Sequence, residues 1–150
     1  LLFMKKVLFA VFLAFTISAF ASASADKTTI DPKVVSSFQN DFSFAENVLW
    51  ETDGDKTQVK FTVNDNSFIA WYNADAELIS TARNILYMQL PLIVIKALEE
   101  KYNKADLVSI MELTKGNETT YFIRAEEKDK KFLLSANSYG NISVVRKIKK

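Results

Sequence analysis

The chain has neither histidine nor cysteine among its 150 residues, so it cannot build a Ser-His-Asp or Cys-His centre, nor a thiolate or imidazole metal site. Proton transfer would fall to paired Asp and Glu side chains, whose pairing in space a sequence does not display. No Ser-x-x-Lys dyad occurs after residue 25, and Gly54, Gly116 and Gly140 stand too far apart for a phosphate-cradling loop. Two acidic clusters, Asn64-Asp65-Asn66 and Asn73 to Glu77, have the oxygens calcium prefers, but neither has the spacing of a twelve-residue calcium loop. Such residues also close tight turns. The basic end Arg146-Lys147-Ile148-Lys149-Lys150 could meet acidic lipid or polysaccharide, although such runs are commonly solvated chain ends. The expectation is a protein without catalytic residues, cofactor or metal.

The N-terminal stretch carries an address. Met4-Lys5-Lys6 is a basic start, Val7 to Ile17 is apolar apart from Thr16, and small residues follow from Ser18 to Ala25. This is the layout of a secretory signal peptide, residues 1–25, with Ala-x-Ala cleavage options ending at Ala21, Ala23 or Ala25. The apolar run is short of the ~20 residues that a transmembrane helix needs, so no membrane span is expected after removal. Removal takes away two lysines and no acid, leaving 17 basic against 18 acidic residues and a net charge of −1. Near neutrality makes no electrostatic case for nucleic acid. Without cysteine there are no disulfides and no acceptor for an N-terminal lipid, so packing must stabilise one domain over residues 26–150.

The elements follow from periodicity. Asp31 caps and Pro32 opens a helix with Val34, Val35, Phe38 and Phe42 on one stripe. A second helix follows Pro91, with Ile93, Val94, Ala97, Leu98 and Tyr102 as its apolar stripe and Lys96, Glu99 and Glu100 opposite. Period-two segments follow each helix: Glu46 to Trp50, Val59 to Val63, Phe68 to Tyr72 and Glu77 to Arg83, then Asp106 to Leu113, Thr119 to Ala125, Phe132 to Ala136 and Ile142 to Ile148. Turns of Gly, Asn and Asp separate them. The halves align, Phe42 on Tyr102, Gly54 on Gly116, Phe68 on Phe132 and Asn73 on Asn137. The fold expected is α+β: two tandem helix-plus-four-strand repeats, about 31–85 and 90–148, forming one antiparallel sheet with both helices on one face. Leu98 and Phe61 are expected as core partners on opposite layers.

Phe42 to Trp50, Ala70 to Ile79 and Leu90-Pro91 through Tyr102 give the chain its resemblance to small exported PepSY-like proteins, whose fold is related to the β-lactamase inhibitor protein. The resemblance covers nearly all of residues 26–150 and rests on structural rather than catalytic motifs. It implies a periplasmic or secreted bacterial binding or inhibitory module, with the open sheet face as contact surface. One departure is that the family-like turn Asp-Gly-Glu reads Asp75-Ala76-Glu77 here. A positive φ would cost alanine about 1 kcal/mol, so a turn of another shape is expected.

Strand parity then sorts the faces. Phe132, Leu134 and Ala136 are all apolar and should face the helices, as should their counterparts Phe68, Ala70 and Tyr72. Ile69 and Trp71 therefore point away, and neighbouring strands add Lys60, Thr62, Phe122 and Arg124, with Arg83 and Met111 as further members. A mixture of aromatic, Met and basic groups is common in binding patches. The reading is a non-enzymatic exported module that inhibits or senses an envelope protein or peptide, a peptidase-type partner included. The alternative is a structural or small-ligand-binding envelope protein without inhibitory activity.

Overall fold

The computed structural model describes residues 29–149. The signal-peptide reading, residues 1–25, lies outside them. Helix α1 (Pro32–Asp41) leads into strands β1 (Glu46–Asp53), β2 (Lys56–Val63), β3 (Asn66–Tyr72) and β4 (Leu78–Ile85). A short 3₁₀ turn (Tyr87–Gln89) and helix α2 (Leu92–Tyr102) connect to β5 (Asp106–Lys115), β6 (Glu118–Glu127), β7 (Lys130–Asn137) and β8 (Ile142–Lys149). The eight strands form one antiparallel sheet in the order of the chain, β1 to β8.

Both helices lie on one face. Residues directly opposite one another across a sheet share a face, and one such row runs Phe61, Phe68, Arg83, Glu112, Tyr121, Ala136. Its first two members pack in the cluster under α1, with Val34 and Phe38. Its last two pack under α2, with Val94 and Leu98. Phe61 and Leu98 are thus both core residues, but of different clusters, Phe61 under α1 and Leu98 on α2. The expected partnership between them is replaced by Phe61 against Phe38 and Phe42, at ring separations of 5.1 and 4.8 Å.

The middle of that row is polar. Arg83 Nε donates to Glu112 Oε1 at 2.7 Å, forming an ion pair between the two cores. Arg83 therefore stands on the helix side, not on the far face with Met111. The register shift between Trp71 and Tyr72 on β3, paired against β4, explains why simple alternation misplaced it.

Asp31 caps α1, its carboxylate accepting from the Lys33 backbone N–H at 2.8 Å, with Pro32 next in line. Helix α2 uses Pro91 as its N-cap and buries Val94 and Leu98, with Ile95 and Tyr102 packed alongside. Ile93 is 48% exposed, so the apolar stripe expected to include it is displaced towards Ile95. Tyr87 ties the 3₁₀ turn to α2, donating to Glu99 Oε1 at 2.6 Å, and this bond pushes its hydroxyl pKa up to about 12. Tyr72, fully buried, donates to Asp41 Oδ2 at 2.8 Å and joins β3 to the end of α1. Burial first, and then Asp41, hold its pKa well above the ordinary phenol range.

The Asp75-Ala76-Glu77 turn keeps the left-handed shape that alanine was expected to avoid, with Ala76 at φ +62°. Asn73 holds it there. Its side-chain oxygen accepts from the backbone N–H groups of Asp75 (3.0 Å) and Glu77 (2.9 Å), and its Nδ2 donates to Glu77 Oε2 at 2.8 Å.

Candidate functional site

The face opposite the helices is built by alternation along the central strands. Two rows define it: Lys60, Ile69, Ala82, Leu113 across β2 to β5, and Asn84, Met111, Phe122, Ser135 across β4 to β7. Trp71 sits between Gln58 and Ser80, and Arg124 faces Leu133, which in turn faces Arg146. All six residues nominated from the sequence (Lys60, Thr62, Ile69, Trp71, Phe122 and Arg124) fall on this face by register, with Thr62 towards its margin opposite Ser67 and Glu46.

Its centre is an apolar cluster of Ala82, Met111 and Phe122, with Trp71, Leu113 and Leu133 packed against it. Met111 and Phe122 are only 4% exposed, so they are packed core, and the apolar surface of this face comes from the half-buried Trp71, Leu113 and Leu133 around them. Trp71 is half-buried, and its indole N–H donates to Gln58 Oε1 at 3.0 Å. A large ring kept wholly out of the packed structure, as alternation alone suggests, is therefore not what Trp71 is. On the β1 side the cluster is rimmed by the Lys60–Glu51 ion pair at 2.9 Å, with Gln58 donating to the other Glu51 oxygen at 2.9 Å. On the β7 side the rim holds Arg124 and the Lys131–Glu126 pair, also at 2.9 Å. The arrangement can hold an apolar group against Trp71, Leu113 and Leu133 and charged groups of either sign at its margins.

Sequence reasoning missed Gln58, Ala82, Leu113 and Leu133. Leu133 lies in the unbroken apolar run Phe132-Leu133-Leu134, where alternation cannot say which member faces away. Leu113, two residues after Met111, could have been found by extending its parity.

The two clusters considered for calcium are turns. Asn64 and Asp65, at φ +48° and +63°, form the two-residue loop of the β2–β3 hairpin, and the Asn73 oxygen already serves two backbone N–H groups. No group of three or more acidic side chains among the described residues is placed to hold a metal ion. No helix among them is long and apolar enough to cross a membrane.

On the helix side, an open apolar cavity of about 410 Å³ lies between α1 and β1. Val35, Phe38, Phe42, Val48 and Trp50 line it, with Gln39 and Ser43 as its polar groups.

No protein-family model and no curated protein matches the chain. Among solved structures it is similar to a candidate periplasmic protein of Bacteroides eggerthii, with TM-score 0.69 and 15% identity over 79% of this chain and 87% of that one. It is similar to a DUF2874 family protein of Bacteroides ovatus, with TM-score 0.69 and 17% identity over 79% and 86% of the two chains. It is also similar to a BLIP-like protein of Bacteroides fragilis, with TM-score 0.68 and 20% identity over 79% and 86%. At these identities the likeness is one of fold: a BLIP-like α+β fold with one open antiparallel sheet.

Proposed function

We propose that the protein is a non-enzymatic binding module of the bacterial cell envelope, periplasmic or secreted, which holds a protein or peptide on the sheet face away from its helices. The observation that carries this is the half-buried group of Trp71, Leu113 and Leu133, packed on Met111 and Phe122, on a face that neither described helix covers and with Lys60 and Arg124 at its rim. Trp and Arg in such a setting contribute most to interface energy. The likeness to a BLIP-like structure supports an inhibitory or sensing role, and the candidate periplasmic neighbour supports the envelope address. A PepSY-like kinship and a signal peptide over residues 1–25 are parts of the same reading. So is an origin by duplication, since each half runs helix then four strands and turns on the same bond pattern at Asn73 and Asn137.

The cavity between α1 and β1 supports a second reading, a carrier of a small apolar ligand without inhibitory activity. Its volume is within the ~300–1,000 Å³ usual for small-molecule sites.

Capture from envelope extract, read by mass spectrometry, tests both. The wild type should enrich one protein, a peptidase if the role is inhibitory. Lys60→Gln, which removes the charge of a partly exposed ion pair but keeps a donor for Glu51, should leave the melting temperature nearly unchanged and weaken capture by about 1 kcal/mol. Trp71→Ala should weaken it by ~2 kcal/mol or more while also lowering stability. Enrichment of lipid, indifferent to both changes, would move the assignment to the cavity.

A further inference from the structure

We propose that copies of this chain associate edge to edge, β8 of one copy pairing antiparallel with β1 of the next. The two outer strands carry opposite charge. Strand β1 holds Glu46, Glu51 and Asp53, while β8 holds Arg146, Lys147 and Lys149. Among the described residues neither strand has a neighbour on its outer side. Exposed strand edges are templates for pairing with another chain, charged side chains blunt that pairing, and opposite charges across two strands favour it. Pairing β8 with itself, or β1 with itself, sets like charges together. Pairing β8 with β1 sets cations against anions.

The number of strands makes this geometry available. In an antiparallel sheet of eight, β1 and β8 run in opposite directions. A second copy placed alongside, with its helices on the same side as the first, therefore meets it antiparallel without being turned over. One register satisfies three successive side-chain pairs. Leu49 of one copy lies opposite Ile148 of the other, Trp50 opposite Lys147, and Glu51 opposite Arg146. Each pair shares a face: Leu49, Glu51, Arg146 and Ile148 by their pairing with Lys60, Gln58, Leu133 and Lys131, and Trp50 and Lys147 by theirs with Val59 and Phe132. Leu49 and Ile148 are 53% and 46% exposed at the two margins of the sheet, and this contact would cover both. Trp50 beneath a lysine permits a cation–π contact, and Glu51 would extend its bond to Lys60 into a three-membered network with Arg146. The irregularity in β1 between Glu46 and Leu49, and that in β8 between Val144 and Arg146, confine regular pairing to Leu49–Glu51 against Arg146–Ile148, which keeps the association short and reversible. Because the contact joins two different edges, it is head-to-tail and leaves a free edge at each end. It does not rest on a binding role for the open face.

The test uses the protein as cells accumulate it from the full sequence, studied by sedimentation velocity over a range of concentration and salt. Association should grow with concentration and weaken with salt. Glu51→Arg sets two cations against each other at the Glu51–Arg146 contact, and Arg146→Glu sets two anions against each other there. Each alone should associate about tenfold more weakly, and an equimolar mixture should recover association. Circular dichroism checks that both remain folded. Because the chain lacks cysteine, Leu49→Cys and Ile148→Cys each introduce a single thiol, and mixed disulfides between the two variants should form faster than either homodisulfide. A monomer at every concentration, association that both charge reversals leave intact, or homodisulfides that dominate would each overturn the proposal.

Discussion

Asn73 and Asn137 perform the same task in the two halves, and the residue three positions on makes the halves differ. The Asn137 oxygen accepts from Tyr139 and Asn141 backbone N–H groups at 3.0 and 3.1 Å, and Gly140 takes φ +82° where the first half has Ala76 at +62°. Ala76→Gly relieves the left-handed strain and should raise stability by about 1 kcal/mol. The reverse change in the other turn is harsher. A Cβ on Gly140 would stand 2.9 Å from the Ile93 carbonyl oxygen, so strain in φ combines with a collision against helix α2. Gly140→Ala should therefore destabilise by ~2 kcal/mol or more. Urea denaturation of the two variants checks both signs, and equal midpoints would contradict them. The turns themselves are legible in the sequence from their Asn and Gly residues. That alanine occupies a left-handed position is not, because the asparagine bonds that hold it there are visible only once the chain has closed.

At the scale of elements, α2 gives the clearest test of helical phase. Leu98 is 2% exposed, and Leu98→Ala should cost on the order of 2–5 kcal/mol. Lys96, in a loose 3.9 Å pair with Glu100, should lose within about 0.5 kcal/mol on replacement by alanine. Ile93→Ala distinguishes the observed phase from the one the sequence suggests, since a half-exposed side chain should cost only ~1 kcal/mol. Thermal melts of the three variants rank them, and an Ile93→Ala loss as large as that of Leu98→Ala would put the stripe back where periodicity alone sets it. Helices and strands are legible here because the caps Asp31-Pro32, the shift of period from 3.6 to two, and the glycine and asparagine turns agree. What fails is parity across an irregularity, as at Arg83, and assignment within a wholly apolar run, as at Leu133. Both need the register, which is fixed by pairing between strands rather than within one.

At the scale of the molecule, the two halves meet at the β4–β5 pairing, and the two faces hold that seam differently. The helix side has the Arg83–Glu112 ion pair between separate cores. The other side has one apolar cluster drawn from both halves, Trp71 and Ala82 from the first, Met111 and Phe122 from the second. Met111→Ala should therefore cost ~2–5 kcal/mol and also loosen the coupling between halves. Both tryptophans, Trp50 and Trp71, lie in the first half, so fluorescence follows that half while far-ultraviolet circular dichroism follows both. The two denaturation curves should coincide in the wild type and separate in Met111→Ala. Coincident curves in the variant would mean the seam is held by something other than this cluster. The strictly sequential strand order has a kinetic consequence as well. Every strand pairs with the one before it in the chain, and only the β4–β5 pairing spans a helix. Closing short loops is fast and keeps contact order low for a β-rich protein. Each half can zip from hairpin to hairpin, and the single longer closure that lays β5 against β4 is expected to set the folding rate.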